Sequence, residues 1–148
     1  MTSALLSASR LLVALSARAL EAGDSGVTLP QFRMLTSLSA KGPMKLASLA
    51  DLLGVNSSTA LRMAERLSLA GLLTRETNPN NRREIILELA PAGRRIVADV
   101  TARRREEIAR VVARLAPGQR TALVEALDAF VKADDELPAT VTQPIFFT

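Results

Sequence analysis

Between Asn56 and Arg83 the sequence sets five arginines (Arg62, Arg66, Arg75, Arg82 and Arg83) against two acids, Glu65 and Glu76. Asn56 is followed by three small hydroxyl residues, Ser57, Ser58 and Thr59. These residue types suit a polyanion. Small polar side chains at a helix start allow close approach to phosphate, and the free N–H groups and partial positive charge of that helix end face the anion. Arginine forks meet phosphates or guanine edges. Arg62 and Arg66 are four residues apart and extend from one broad helix face. Such a pair alone is a weak signal, because exposed helices carry it for solvation.

Other chemistries lack the residues they need. The 148 residues include no Cys, His, Tyr or Trp. Disulfides, thiolate metal sites, thiol nucleophiles and thiol-based redox sensing are excluded, and the usual general base and commonest metal ligand are missing. No phosphate-binding glycine loop, dinucleotide fingerprint or nucleophile elbow is present. Glu106-Glu107 and Asp134-Asp135-Glu136 lie among arginines or near a helix end and read as solvated charges. The sequence predicts no enzyme, no cofactor and no metal.

The charge is unevenly spread. The chain carries net +4, made of +1 in residues 1–40, +7 in 41–120 and −4 in 121–148. A basic middle fits a nucleic-acid partner, and solvated helix faces account for it equally well from charge alone. Hydrophobic residues are 48% of the chain and the only aromatics are four Phe. A core of Leu, Val, Ile, Ala and Met favours packed helices, a mainly α (α+β) fold.

Periodicity and punctuation then place the elements. Residues 3–20 hold Leu5, Ala8, Leu12, Leu15 and Ala19 at helical spacing. Arg10 and Arg18 interrupt the run, so it reads as a packing helix rather than a signal peptide or membrane span. Apolar nearly all round, it requires more than one neighbour. Thr28-Leu29-Pro30-Gln31 has capping-box spacing and opens a helix with Phe32, Leu35 and Leu38 on its apolar face, closed by Lys41-Gly42-Pro43. A third helix is predicted over Met44–Leu53, with Gly54 at its C-terminal cap. A fourth follows from Ser57 to Ala70, capped by Asn56, with Ala60, Met63, Ala64 and Leu67 facing inward. The period then shifts to two. Leu72–Glu76 and Arg82–Leu89 read as strands of a hairpin turning at Asn78-Pro79-Asn80-Asn81. Pro91 starts a long helix to Leu115, and a last helix follows Pro117-Gly118 with Leu123, Val124, Leu127, Phe130 and Val131 at helical spacing. The tail from Glu136 ends in Ile145-Phe146-Phe147, either loose or docked on a neighbour.

Helix, short turn, helix, then a basic hairpin is the order of a winged helix-turn-helix. The segment LASLADLLGVNSSTALRMAERLSLAGLLTRETNPNNRREIILELAPAGRRIV resembles the core of MarR-type transcriptional regulators. Their pattern runs through a leucine-rich helix, a recognition helix of S-T-x-x-R-x-x-x-R-L type, a G-L-[LV] stop, a D-P-x-D-R-R wing tip and an L-T-x-x-G-R junction. The resemblance covers about fifty residues closely, and the flanking helices agree in order and length.

It implies a winged helix-turn-helix domain over residues 28–90, a long connecting helix over 91–115, and N- and C-terminal dimerisation helices in 1–27 and 116–148. It further implies a cytoplasmic homodimeric regulator, a repressor of the usual kind, reading near-palindromic double-stranded DNA. By position, the DNA contacts are Ser57, Ser58, Thr59, Arg62 and Arg66 on the recognition helix and Arg82 and Arg83 on the wing, with Arg75 on the incoming strand. Two alternatives stay open: Thr59 as a local capping hydroxyl, and Arg66 too deep to reach a base. The family also implies a small, often anionic aromatic effector, such as a phenolic acid, between the first, second and fifth helices. Leu12, Leu15, Phe32 and Leu35 are candidate walls, and Arg10, Arg18 or Arg33 would meet a carboxylate. Ordinary core packing with surface arginines explains the same residues. No membrane partner is expected. A winged helix used for protein–protein assembly without specific DNA reading is the competing function.

Two residue types depart from the pattern. Asn78 and Asn81 stand where Asp is usual, which removes an ion pair from the wing and predicts a more positive, less firmly held tip. Ala90 stands where a capping Thr is common.

Overall fold

The computed structural model describes residues 1–135, and the reading of the tail from Glu136 falls outside them. The elements are α1 (Thr2–Glu21), α2 (Leu29–Lys41), β1 (Met44–Lys45), α3 (Leu46–Leu53), α4 (Ser57–Leu69), β2 (Leu73–Asn78), β3 (Asn81–Leu89), α5 (Pro91–Val112) and α6 (Pro117–Asp135). The strands form one antiparallel sheet in the order β1-β3-β2.

Local chemistry fixes most boundaries. At the start of α2, Gln31 N–H donates to the Thr28 hydroxyl at 3.3 Å and Thr28 N–H donates to the Gln31 amide oxygen at 3.1 Å, so both bonds of the capping box form. Gly54 ends α3 at φ 67°, a left-handed conformation that a Cβ disfavours, and Val55 N–H then closes on the Ala50 carbonyl at 3.0 Å. Ala90 is the N-cap of α5 and provides no side-chain bond. Its extended backbone, φ −77° and ψ 160°, is the conformation in which a hydroxyl reaches the first turn. Ala90→Ser is therefore expected to stabilise the fold by about 1 kcal/mol, read as a rise of a few degrees in a thermal melt. No change in midpoint would mean that water already satisfies those N–H groups.

Two apolar clusters hold the chain together. The larger joins Met34, Leu35 and Leu38 of α2, Leu46, Leu49, Ala50 and Leu53 of α3, and Ala60, Ala64 and Leu67 of α4 to Leu73, Leu87 and Leu89 of the sheet. The smaller joins Ala19 and Leu20 of α1 to Phe32 of α2 and Val100 of α5. Helix α2 thus belongs to both. At the entrance to α5 a Cβ on Gly93 would collide with the Leu72 carbonyl and come within 2.7 Å of Leu89 Cδ1, so only glycine allows this helix to sit so close to the sheet. Arg103 of α5 donates from Nε to the Ala19 carbonyl at 2.8 Å and places its charge at the negative end of α1.

Two expectations change. The third helix does not begin at Met44: Met44 and Lys45 form β1, paired with Leu87 and Ile86 of β3. A two-residue strand has no period of its own and exists only because β3 offers it a partner. The strands of the hairpin also run further toward the tip than the sequence suggests, to Asn78 and from Asn81.

The outer helices remain largely uncovered. No residue of α6 is buried. Leu123, Val124, Leu127, Phe130 and Val131 are between 41% and 59% exposed. In the first half of α1, Leu5, Leu6, Leu11 and Leu12 are exposed as well, while Leu15, Ala19 and Leu20 in its second half are buried. By length and hydropathy alone α1 would suffice to cross a membrane, and among the described residues it is the only helix that would.

Candidate nucleic-acid interface

The α4 helix is anchored by one face and presents the other. Ala60, Ala64 and Leu67 are buried in the larger cluster. Ser57, Ser58 and Arg62 are exposed. Arg66, one turn beyond Arg62, is also in solvent and is not too deep to reach a ligand. The cap is made by Asn56, whose Oδ1 accepts from Thr59 N–H and from the Ser58 hydroxyl, each at 2.8 Å. The Thr59 side chain is therefore not the cap. It lines a shallow depression together with Arg62, Met63 and Arg66. Met63, a core residue by its spacing, also lines this outer depression.

The wing is built on a bulge. Thr77 pairs with Ile85, whereas the next residue, Asn78, pairs back to Asn81. Residues 82–84 thus have no cross-strand partner and protrude at the tip. Arg82 and Arg83 are both exposed there. Among the described residues, no ion pair engages Arg62, Arg66, Arg82 or Arg83. Four arginines are therefore available to phosphates or base edges. Arg75 is different: its Nη1 lies 3.4 Å from Glu65 Oε1, so it ties the wing to α4.

The amides at the tip are not loose ends. Asn78 Nδ2 donates to Glu84 Oε2 at 2.7 Å, and Asn78 Oδ1 accepts from Asn80 N–H at 3.0 Å. Asn81 Oδ1 accepts from Arg83 N–H at 3.1 Å. Lys45 Nζ reaches Glu84 Oε1 at 3.0 Å. The Lys45 ammonium, and after it the Asn78 amide, hold the Glu84 carboxyl below its ordinary pKa. The expectation of a weakly held tip is corrected: amide bonds and the Glu84 carboxylate, which nothing in the sequence singles out, take the place of the usual Asp ion pair.

A second feature lies between α1, α2 and α5. A cleft of about 570 Å³ is lined by Ser9, Leu12, Val13, Leu29, Phe32, Arg33 and Arg104, among others. Phe32 and Arg33 stand where the sequence places them. Arg10 and Arg18 do not. Arg10 turns back to the Ser7 hydroxyl at 3.2 Å, and Arg18 extends to Glu107 of α5 at 3.9 Å. Leu15 and Leu35 are buried behind the cleft rather than in its wall. Arg104 supplies the second cation. Sequence reasoning does not find it, since three consecutive arginines, Arg103 to Arg105, give no sign of which one lines the cleft.

Similarity to known proteins decides what this arrangement is. The MarR family model matches residues 27–85. The crystal structure of RV1404 from Mycobacterium tuberculosis is 51% identical, covers 89% of this chain and 90% of its own, and superposes with a TM-score of 0.79. The chain belongs to the MarR family. Another relative, a putative transcriptional regulatory protein for the hcr operon of Thauera aromatica, is 27% identical over 80% of this chain and 71% of its own length. A third, BpsR of Bordetella bronchiseptica, is 25% identical, covers 88% of this chain and 92% of its own, and has a TM-score of 0.63. Its DNA binding is regulated by 6-hydroxynicotinic acid. As a MarR-family member the chain is a DNA-binding transcriptional regulator and not an enzyme.

Proposed function

We propose that this MarR-family regulator acts as a cytoplasmic homodimeric repressor, its two recognition helices set in successive major grooves of a near-palindromic duplex. The observation that carries the dimer is the uncovered apolar row of α6, matched by that on the first half of α1. Exposed rows of large apolar side chains on two helices mark an interaction surface. The copy that covers them is a second chain whose own α1 and α6 need the same cover, which gives a two-fold, self-complementary interface.

Ser57, Ser58, Thr59, Arg62 and Arg66 then serve the major groove, while Arg82 and Arg83 on the bulge serve the flanking minor groove. Arg75 acts through Glu65 by fixing the wing against α4. Selection of duplexes from random-sequence DNA tests the reading. Two related half-sites with centres about 10 base pairs apart support it, and recovery of no preferred sequence refutes it.

The cleft between α1, α2 and α5 takes a small aromatic anion. Leu12, Val13, Leu29 and Phe32 offer apolar walls, and Arg33 and Arg104 offer two cations for a carboxylate. The regulation of BpsR by 6-hydroxynicotinic acid favours this ligand class. Hydroxylated aromatic carboxylates, beginning with 6-hydroxynicotinic acid, are expected to release the selected duplex. That release should disappear in Arg33→Gln/Arg104→Gln. Undiminished release from the double variant would place the ligand elsewhere.

A further inference from the structure

Glu84 is an acidic residue on a surface meant for a polyanion, and that is the observation requiring explanation. It is the last residue of the unpaired bulge that begins with Arg82. Electrostatics alone would discard it, since a carboxylate beside Arg83 subtracts from the attraction for phosphate. Both of its oxygens are nevertheless committed. Oε1 faces Lys45 Nζ at 3.0 Å and Oε2 accepts from Asn78 Nδ2 at 2.7 Å. Lys45 lies on β1, across β3 from the rest of the hairpin, and its backbone is fixed by pairing with Ile86. Asn78 lies at the end of β2, and its own oxygen closes the turn onto Asn80. One carboxylate therefore links all three strands at the point where the bulge leaves the sheet.

We infer that Glu84 is a positioning residue for DNA binding: clamped between Lys45 and Asn78, it sets the direction in which the bulge aims Arg82 and Arg83. A bulge without cross-strand bonds has no ladder to orient it. Two charge-assisted bonds to a single side chain supply that orientation. The negative charge is the means of holding the clamp, and the Lys45 ammonium offsets it. Asn at position 78 is part of the same device, because an Asp there would set a second carboxylate against Glu84.

The inference rests on the DNA-reading function proposed above and has a sign that separates it from simple electrostatics. Glu84→Gln removes a negative charge, so charge alone makes every duplex bind more tightly. The amide has one acceptor oxygen in place of two, and its NH₂ group must face either the Lys45 ammonium or the Asn78 NH₂, so only one of the two grips survives. Positioning therefore predicts weaker binding, by about tenfold on the duplex that the parent selects from random-sequence DNA and in the same direction on a scrambled duplex, because the wing arginines serve both. Combined with Arg83→Ala, Glu84→Gln should have little further effect on the selected duplex, because there is less left to aim. Lys45→Arg, which keeps the cation, should bind like the parent. Thermal melts of each variant report whether the fold is intact. If Glu84→Gln binds the selected duplex as tightly as the parent or more tightly, or if its effect is undiminished without Arg83, the inference is overturned. If the parent selects no duplex at all, the DNA-reading proposal fails first and Glu84 has nothing to position.

Discussion

Arg62→Ala is expected to weaken binding to the selected duplex by about 1–3 kcal/mol per protomer. A dimer carries the change twice, so the total is about 2–6 kcal/mol, from about thirtyfold to about 10⁴-fold. Arg62 is exposed on the outer face of α4, without an ion-pair partner among the described residues, so its removal costs the fold little. The effect should be confined to particular base pairs: repeating the selection with the variant should show relaxed preference at one position in each half-site. Arg83→Ala should behave differently. A wing arginine that meets phosphate strengthens binding to all sequences evenly, so its removal should weaken them all. The slope of log affinity against log salt should become shallower by about 0.9 for each phosphate no longer neutralised. Should the two variants show the same pattern, the division between a base-reading helix and a backbone-holding wing would be wrong.

Leu127→Glu/Phe130→Glu should split the dimer. These side chains are 46% and 56% exposed in the single chain, and the proposed interface buries both. Two carboxylates forced into an apolar interface without partners cost several kcal/mol, enough to turn a stable dimer into monomers at micromolar concentration. Because α6 contributes no buried residue to the chain's own core, the winged domain should remain folded. DNA binding should nonetheless fall by about 10²–10⁴, since a monomer lacks the effective concentration that the first bound half-site confers on the second. A sedimentation experiment and a binding titration on the same sample read both consequences. Dimers that persist in the double variant would remove α6 from the interface.

Much of this is legible in the sequence, for a reason visible in particular residues. Thr28 with Gln31, Asn56, Gly54 and the Asn78–Asn81 turn act on neighbours three or four positions away, so their meaning is written locally. Arg62 is equally readable, since it faces outward by spacing alone, whereas the depth of Arg66 is left open by the sequence and its exposure is seen only in the fold. The uncovered rows on α1 and α6 follow from helices with more apolar face than one small domain can cover. What escapes depends on distant partners. Lys45 belongs to a strand only because β3 lies beside it, and Glu84 matters only because Lys45 and Asn78 converge on it. Arg75 resembles its basic neighbours in sequence, and only the fold brings Glu65 within its reach. The family resemblance places Arg10 and Arg18 at the cleft, but the packing of α1 against α5 sends Arg18 to Glu107 and leaves Arg104 lining the cavity.

Footprinting on a selected duplex tests the central claim most directly. A homodimer with two outward recognition helices should protect two half-sites on one face of the DNA, their centres about one helical turn apart, with one dimer bound per duplex. Protection of a single half-site by a monomer, or even protection along any duplex regardless of sequence, would contradict it.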